Sequence, residues 1–313
     1  MSNGFQTAVN DQPARGVAGD FASRNPYFSV DAGPAGIVAA AGGCYVGRFA
    51  WLYAPADGDG APAQASNVGV GSVAGFVHRE QQALISDYLA IASMKIPQGF
   101  GMTLMNGGDF WCVNDGAAAV VPGATAYANL ADGKVTFGAL TGAVTGSIAA
   151  GTAIDVVGSI VNDTLTVTTV NGGSGLLVNG ALLTGTGVAS GTRIVRQLSG
   201  TAHDVGTYAV SIPDQAVAAG TAIAGTYGVF TAASGLTGSF SIGSILSGSG
   251  VTAGTTIYEF GTGTGGLGTY YVGTTQTAGS TTIGSTVNVA TKWKAMSFAG
   301  VGELVKISDH YLG

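Results

Sequence analysis

Charge is what this sequence has least of. Asp, Glu, Lys and Arg together make up 9% of its 313 residues, against about 25% in an average soluble protein. The eleven Lys and Arg are scattered singly apart from Arg193/Arg196 and Lys292/Lys294, and the net charge is −6. A nucleic-acid partner is therefore not expected, because neutralising phosphates needs a clustered basic face. Cysteine is nearly absent as well. Cys44 and Cys112 stand far apart with no Cys-x-x-Cys spacing, and only three histidines could join them as ligands, so no metal site or other cofactor is expected. Buried, reduced thiols are the leading reading of the pair, with a disulfide or a functional thiol as alternatives. Long apolar runs are missing too. The longest uncharged stretch, near Gly33 to Gly47, is broken by glycines and a proline and falls short of the roughly 18 consecutive apolar residues of a membrane span. Met1-Ser2-Asn3-Gly4 opens the chain without a basic or an apolar region, so no export signal is expected and synthesis in a bacterial cytoplasm fits.

What is abundant is glycine, at 54 residues, with Ser and Thr supplying the polarity and hydrophobic residues at 46%. That mixture suits many short strands joined by tight turns in which glycine takes positive φ. The expectation is an ordered all-β protein. Composition divides the chain in three. Residues 1–137 carry most of the aromatic and charged residues, 138–290 hold only seven charges in 153 residues, and 291–313 return to ordinary composition. The middle region repeats itself. Thr184-Gly185-Thr186-Gly187-Val188-Ala189-Ser190-Gly191-Thr192 aligns with Ser247-Gly248-Ser249-Gly250-Val251-Thr252-Ala253-Gly254-Thr255, and Gly206-Thr207-Tyr208 with Gly268-Thr269-Tyr270. The period is about 62 residues, too few copies for a solenoid, and it predicts two small tandem β modules, 138–225 and 226–290. One segment departs from the strand pattern: Leu84, Ile85, Tyr88, Leu89 and Ala92 lie at helical spacing, which predicts a short helix near 81–94. Asp132-Gly133 between strand-like runs predicts a hairpin.

Motifs that suggest chemistry are weak here. Gly261-Thr262-Gly263-Thr264-Gly265-Gly266 satisfies G-x-G-x-x-G but leads into strand-like Leu267–Val272 instead of the helix a dinucleotide needs. His78-Arg79-Glu80 has no companion nucleophile signature and reads first as a packed histidine and a local ion pair. Asp57-Gly58-Asp59-Gly60 lacks the further oxygen ligands of a calcium loop. Paired carboxylates for glycoside hydrolysis are too sparse to expect. No catalytic residue is nominated, and the protein is not expected to be an enzyme.

Gly47-Arg48-Phe49-Ala50-Trp51, Gly75-Phe76-Val77-His78-Arg79-Glu80-Gln81-Gln82 and Gly108-Asp109-Phe110-Trp111, in that order, resemble the structural cement proteins that decorate tailed-phage heads. The resemblance covers 1–137 and resumes at 291–313, through Thr291-Lys292-Trp293 and Gly302-Glu303-Leu304-Val305-Lys306-Ile307. It implies a discontinuous capsid-binding β domain, barrel-like or a sandwich, interrupted by the two modules at an exposed loop tip. The modules in turn resemble Gly/Thr-rich repeats of phage decoration and tail proteins. The implied partners are the major capsid protein and further copies of the chain, a trimer before a dimer, on the outer surface of the head. Interface candidates are Phe21, Arg24, Tyr27, Arg48, Trp51, His78, Arg79 and Trp111. The leading segment around Phe21, Tyr27 and Phe28 reads equally as an anchor onto its own domain or as an arm reaching a neighbour. Tyr208, Tyr270 and Tyr271 are candidate glycan contacts, which would make the modules adhesive. A bacterial surface adhesin or a phage tail protein that binds a receptor is the alternative function.

Overall fold

The computed structural model describes residues 16–53, 62–80, 93–212 and 214–310, and none of these is helical. The protein is all-β, with its sheets arranged in a propeller-like ring. The helix expected near 81–94 falls almost entirely on residues outside the described ones, as does Asp57–Gly60.

The first eleven strands are β1 (Phe28–Ser29), β2 (Ile37–Ala39), β3 (Cys44–Tyr45), β4 (Phe49–Tyr53), β5 (Ala63–Ser66), β6 (Gly75–Val77), β7 (Lys95–Ile96), β8 (Leu104–Gly107), β9 (Asp109–Val113), β10 (Thr125–Asn129) and β11 (Val135–Thr136). A six-stranded sheet runs in the order β1-β8-β6-β4-β5-β2, and a short β3-β7 pair lies beside it. Its central strands are apolar on both faces, as a sheet covered on both sides requires. Phe49, Trp51, Phe76 and Met105 point into one core, while the alternating Ala50, Val77 and Leu104 point into a second with Ile37, Cys44 and Ile96. The first core is closed by a five-stranded sheet, which supplies Phe110, Cys112, Trp293, Val305 and Ile307. The base is thus a two-sheet sandwich. Cys44 and Cys112 are free and buried in different cores. Burial pushes the Cys44 thiol up to about 12 and Cys112 well above the ordinary range.

The five-stranded sheet joins distant parts of the sequence. Fourteen further strands follow β11: β12 (Thr141–Ala150), β13 (Ile154–Asn162), β14 (Thr164–Val170), β15 (Leu182–Gly185), β16 (Ile194–Gly200), β17 (Gly206–Val210), β18 (Gln215–Thr226), β19 (Gly228–Thr237), β20 (Ile245–Gly248), β21 (Ile257–Phe260), β22 (Gly268–Val272), β23 (Ala278–Thr286), β24 (Asn288–Ala295) and β25 (Leu304–Ser308). The sheet order is β11-β10-β24-β25-β9, so the two C-terminal strands pair with strands formed before residue 137. The β10–β11 hairpin is the one that Asp132-Gly133 predicts. Gly133 has φ +68°, and a Cβ there would lie 2.1 Å from the Phe49 carbonyl oxygen, so both the turn and the close approach require glycine. Where the chain crosses into and out of the insert, Asn288 clasps both passes. Its Nδ2 donates to Thr136 Oγ1 (2.9 Å) and the Gly138 carbonyl (2.7 Å), and its Oδ1 accepts from the Leu140 amide (2.9 Å).

The insert holds two six-stranded sheets, β15-β18-β13-β14-β17-β16 and β20-β23-β12-β19-β22-β21. Position by position these are one topology used twice. The repeat survives at the level of individual bonds. Thr192 and Thr255 are buried and each donates to the carbonyl three residues back, while Gln215 and Gln276 each clamp that turn through a side-chain amide. The copies are not in tandem, however. β12 pairs with β19 and β23, not with β13. One sheet is nested in the other, entering after β12 and leaving before β19, so the tandem division at 225/226 does not describe the strand pairing. Gly151 N donates to the Tyr227 carbonyl (2.9 Å) at the crossing point. Nesting costs little in chain entropy, because loop closure grows only logarithmically with the length inserted.

Candidate interaction surfaces

The leading segment is tied to its own base. Phe21 forms a bridge with Phe110 on β9, and its ring lies 4.3 Å from His78 and 4.6 Å from Tyr27, centroid to centroid. The His78 Nδ1–H···O=C contact to Gly19 is 2.8 Å, and Arg79 pairs with Asp20 at 3.3 Å. Gly19 and Asp20 exchange main-chain bonds with Trp111, whose indole is packed against Gly16. Asp109 holds the next turn. Its buried carboxylate accepts from Ser23 (2.6 Å) and Asn25 (2.9 Å) and pairs with Lys306 Nζ (3.0 Å). Burial alone would push its pKa up. The hydrogen bonds from Ser23, Ser308 and Lys306, with the Lys306 charge, outweigh burial and hold it below the usual carboxylate range.

The sequence-nominated interface residues therefore divide. Phe21, His78, Arg79 and Trp111 fasten the segment inward. Arg24 and Tyr27 are exposed, and Phe28 beside them shows its ring to solvent. Arg48 lies over the exposed Tyr45 ring at 4.6 Å and donates to the Asp132 carbonyl. Trp51 is a correction: only 3% exposed, it is a core residue whose indole N–H donates to the Gly71 carbonyl (2.9 Å).

The tyrosine candidates need a larger correction. Tyr208 and Tyr270 are 0% exposed. Each sits on the inward face of its sheet and donates its hydroxyl to the carbonyl four residues back, Asp204 and Gly266 respectively. They lock the loops that precede β17 and β22, and neither ring is available to a sugar. G-x-G-x-x-G residues 261–266 form one of these loops, and the strand β22 follows. Burial and the nearby Asp204 charge push the Tyr208 phenol up to about 12. Tyr271 is half-buried at the joint between the two sheets, against Tyr227 and His203. There Glu259 of one sheet accepts from the Asn179 amide and pairs with His203 of the other, while Arg193 Nη1 donates to the Gly180 (2.7 Å) and Gly273 (2.5 Å) carbonyls.

A surface that the sequence reading missed lies at the far end of the base. β24 runs from the clasp at Asn288 and ends beside two loops, 114–124 and 296–303, which bridge each other at Val120 and Ala299. At about 3.3 Å per residue, this end lies about 25 Å from the insert junction. Phe298 (73% exposed), Val301 (57%) and Val121 (56%) stand out there, with Met296, Pro122 and Ala117–Ala119 also exposed. The only charged side chain within these loops besides Asp115 is Glu303, which accepts from the Gly300 amide at 2.6 Å. Large apolar groups held out of the core by turns, with Asp115 and Glu303 as the charges in these loops, make this end a candidate interaction surface. The available signal was Val121-Pro122-Gly123 and Phe298-Ala299-Gly300-Val301-Gly302, where bulky residues sit among turn formers.

Compared with known proteins, the chain matches one family model, described as XM1 gp53 minor capsid protein, over residues 5–178. The match covers more than half of the chain and runs from the leading segment through β14. No curated protein and no solved structure matches it.

Proposed function

The chain belongs to the XM1 gp53 minor capsid protein family, a family of phage structural proteins, and from that premise we propose that it cements the outer surface of a tailed-phage head. Its place is in the virion and its role there is structural. In the proposed arrangement, residues 1–137 and 291–313 form the docking domain, and the loops carrying Val121, Phe298 and Val301 meet the major capsid protein. The observation that carries this reading is the group of exposed apolar side chains, with few charges among them, at the end of β24 opposite the insert.

The mechanism is linkage. A protein that binds the expanded lattice and not its precursor stabilises the expanded form by mass action. A well-packed interface of about 1,600 Å² is enough for tight binding, and the many equivalent positions on a head multiply the effect. A closed homo-oligomer, a trimer before a dimer, suits local capsid symmetry. Co-sedimentation of the purified chain with expanded heads lacking it, beside unexpanded procapsids, tests the proposal. Saturable binding to expanded heads alone, with a rise in their Tm, is the expected result. Equal binding to both, or to neither by folded protein, refutes it.

A further inference from the structure

Between the base and the insert lies a cleft of about 900 Å³, whose lining includes Tyr53 and Gln64 of the base, Asn179 and Arg196 of the inner sheet, and Ile242 and Tyr258 of the outer one. It falls in the size range of small-molecule sites. The insert has only two cationic side chains, Arg193 and Arg196, and both line this cleft, against a single carboxylate, Asp163. In a chain of net charge −6, that is a local excess of positive charge. Arg196 Nη2 donates to Gln64 Oε1 at 2.9 Å across the gap, so one face of its guanidinium is fixed and the group is oriented in advance. Two tyrosines stand with it. Tyr53 is held by its hydroxyl bond to the Val68 carbonyl (2.6 Å) and leaves its ring partly exposed. The Tyr258 ring lies on Gly180 and Gly273, where a Cβ would come within 2.3 and 2.6 Å of it, so glycine backs the ring from behind. Asn179 adds an amide to the lining.

We propose that this cleft binds an acidic saccharide, whose carboxylate pairs with Arg196 and whose apolar ring face lies on Tyr53 or Tyr258. A guanidinium matches a carboxylate in shape and charge, and Gln64 and Asn179 suit sugar hydroxyls. An acidic peptide fits less well. β5 is already paired on both sides, by β4 and β2, and Ile194 is bonded to both β17 and Ala181, which leaves no open main-chain row at these positions for an added strand.

The test is isothermal titration of the full chain with sialyllactose and with tetragalacturonate, and with lactose as the neutral control. Saturable binding of at least one acidic probe is expected, with lactose at least about tenfold weaker and Arg196→Gln costing a similar factor. Gln64→Glu places a carboxylate beside Arg196, which favours the folded form while competing with the ligand, and it should abolish binding. Absence of saturable binding by either acidic probe, equal binding of lactose, or unchanged binding in folded Arg196→Gln or Gln64→Glu would overturn the assignment. None of these outcomes bears on head binding, which is assigned to the opposite end of the base.

Discussion

Asp109 illustrates how single residues hold this protein together. Its carboxylate is 2% exposed and joins the leading segment, through Ser23 and Asn25, to Lys306 on β25. Because its folded pKa is depressed, its contribution is present in full above the unfolded value of about 4 and is lost as pH falls through the folded value. Asp109→Asn should therefore lower stability by about 2 kcal/mol at pH 7. Urea midpoints measured from pH 7 down to pH 2 should show the gap to wild type closing at the acid end. Asn288 acts similarly at the insert junction. Asn288→Ala removes three hydrogen bonds from a buried site and should cost about 2–3 kcal/mol, read as a lowered urea midpoint with the same fold. For Tyr208, absorbance titration should show ionisation at about pH 12, and Tyr208→Phe should reduce the amplitude there by one phenol. The sequence presented Tyr208 and Tyr270 as surface residues because a short strand that opens on Gly-Thr-Tyr carries no strong alternation to reveal which face is inward. Their burial is made possible by a carbonyl four residues back, which spacing alone does not disclose.

Among the elements, the nested sheets make the sharpest prediction. Excising 152–226 and joining Gly151 to Tyr227 through Asn-Gly closes β12 and β19 into a two-residue hairpin, and the remaining chain should keep a cooperative melt and a compact elution volume. Excising 138–225 instead removes β12 from the middle of the outer sheet and should leave that sheet unfolded. The reverse pair of outcomes would restore the tandem arrangement. The repeat itself was legible, because Thr192/Thr255 and Tyr208/Tyr270 recur with their flanking glycines. The nesting was not. β12 and β13 are both runs of small and β-branched residues, and nothing in either specifies its partner. The return of the chain to the base was legible in Trp293 and in Leu304-Val305-Lys306-Ile307. These segments follow the return to ordinary composition after residue 290 and carry the resemblance to the closing strands of the cement proteins.

At the scale of the whole molecule, the base has two opposed ends. The insert is clasped at one by Asn288, and at the other the apolar loops around Val121 and Phe298 face outward with almost no charge among them. These loops escaped the sequence reading because exposure is a tertiary property: a phenylalanine in a glycine-rich turn is as compatible with a core as with a surface. The insert folds back far enough for Arg196 to reach Gln64, so base and insert form one body instead of a stalk on a platform. A cryo-EM reconstruction of expanded heads decorated with the intact protein decides which end docks. Loops 114–124 and 296–303 should be seated against the major capsid protein with the insert away from it. A reconstruction in which those loops face solvent and the insert touches the shell would contradict this docking.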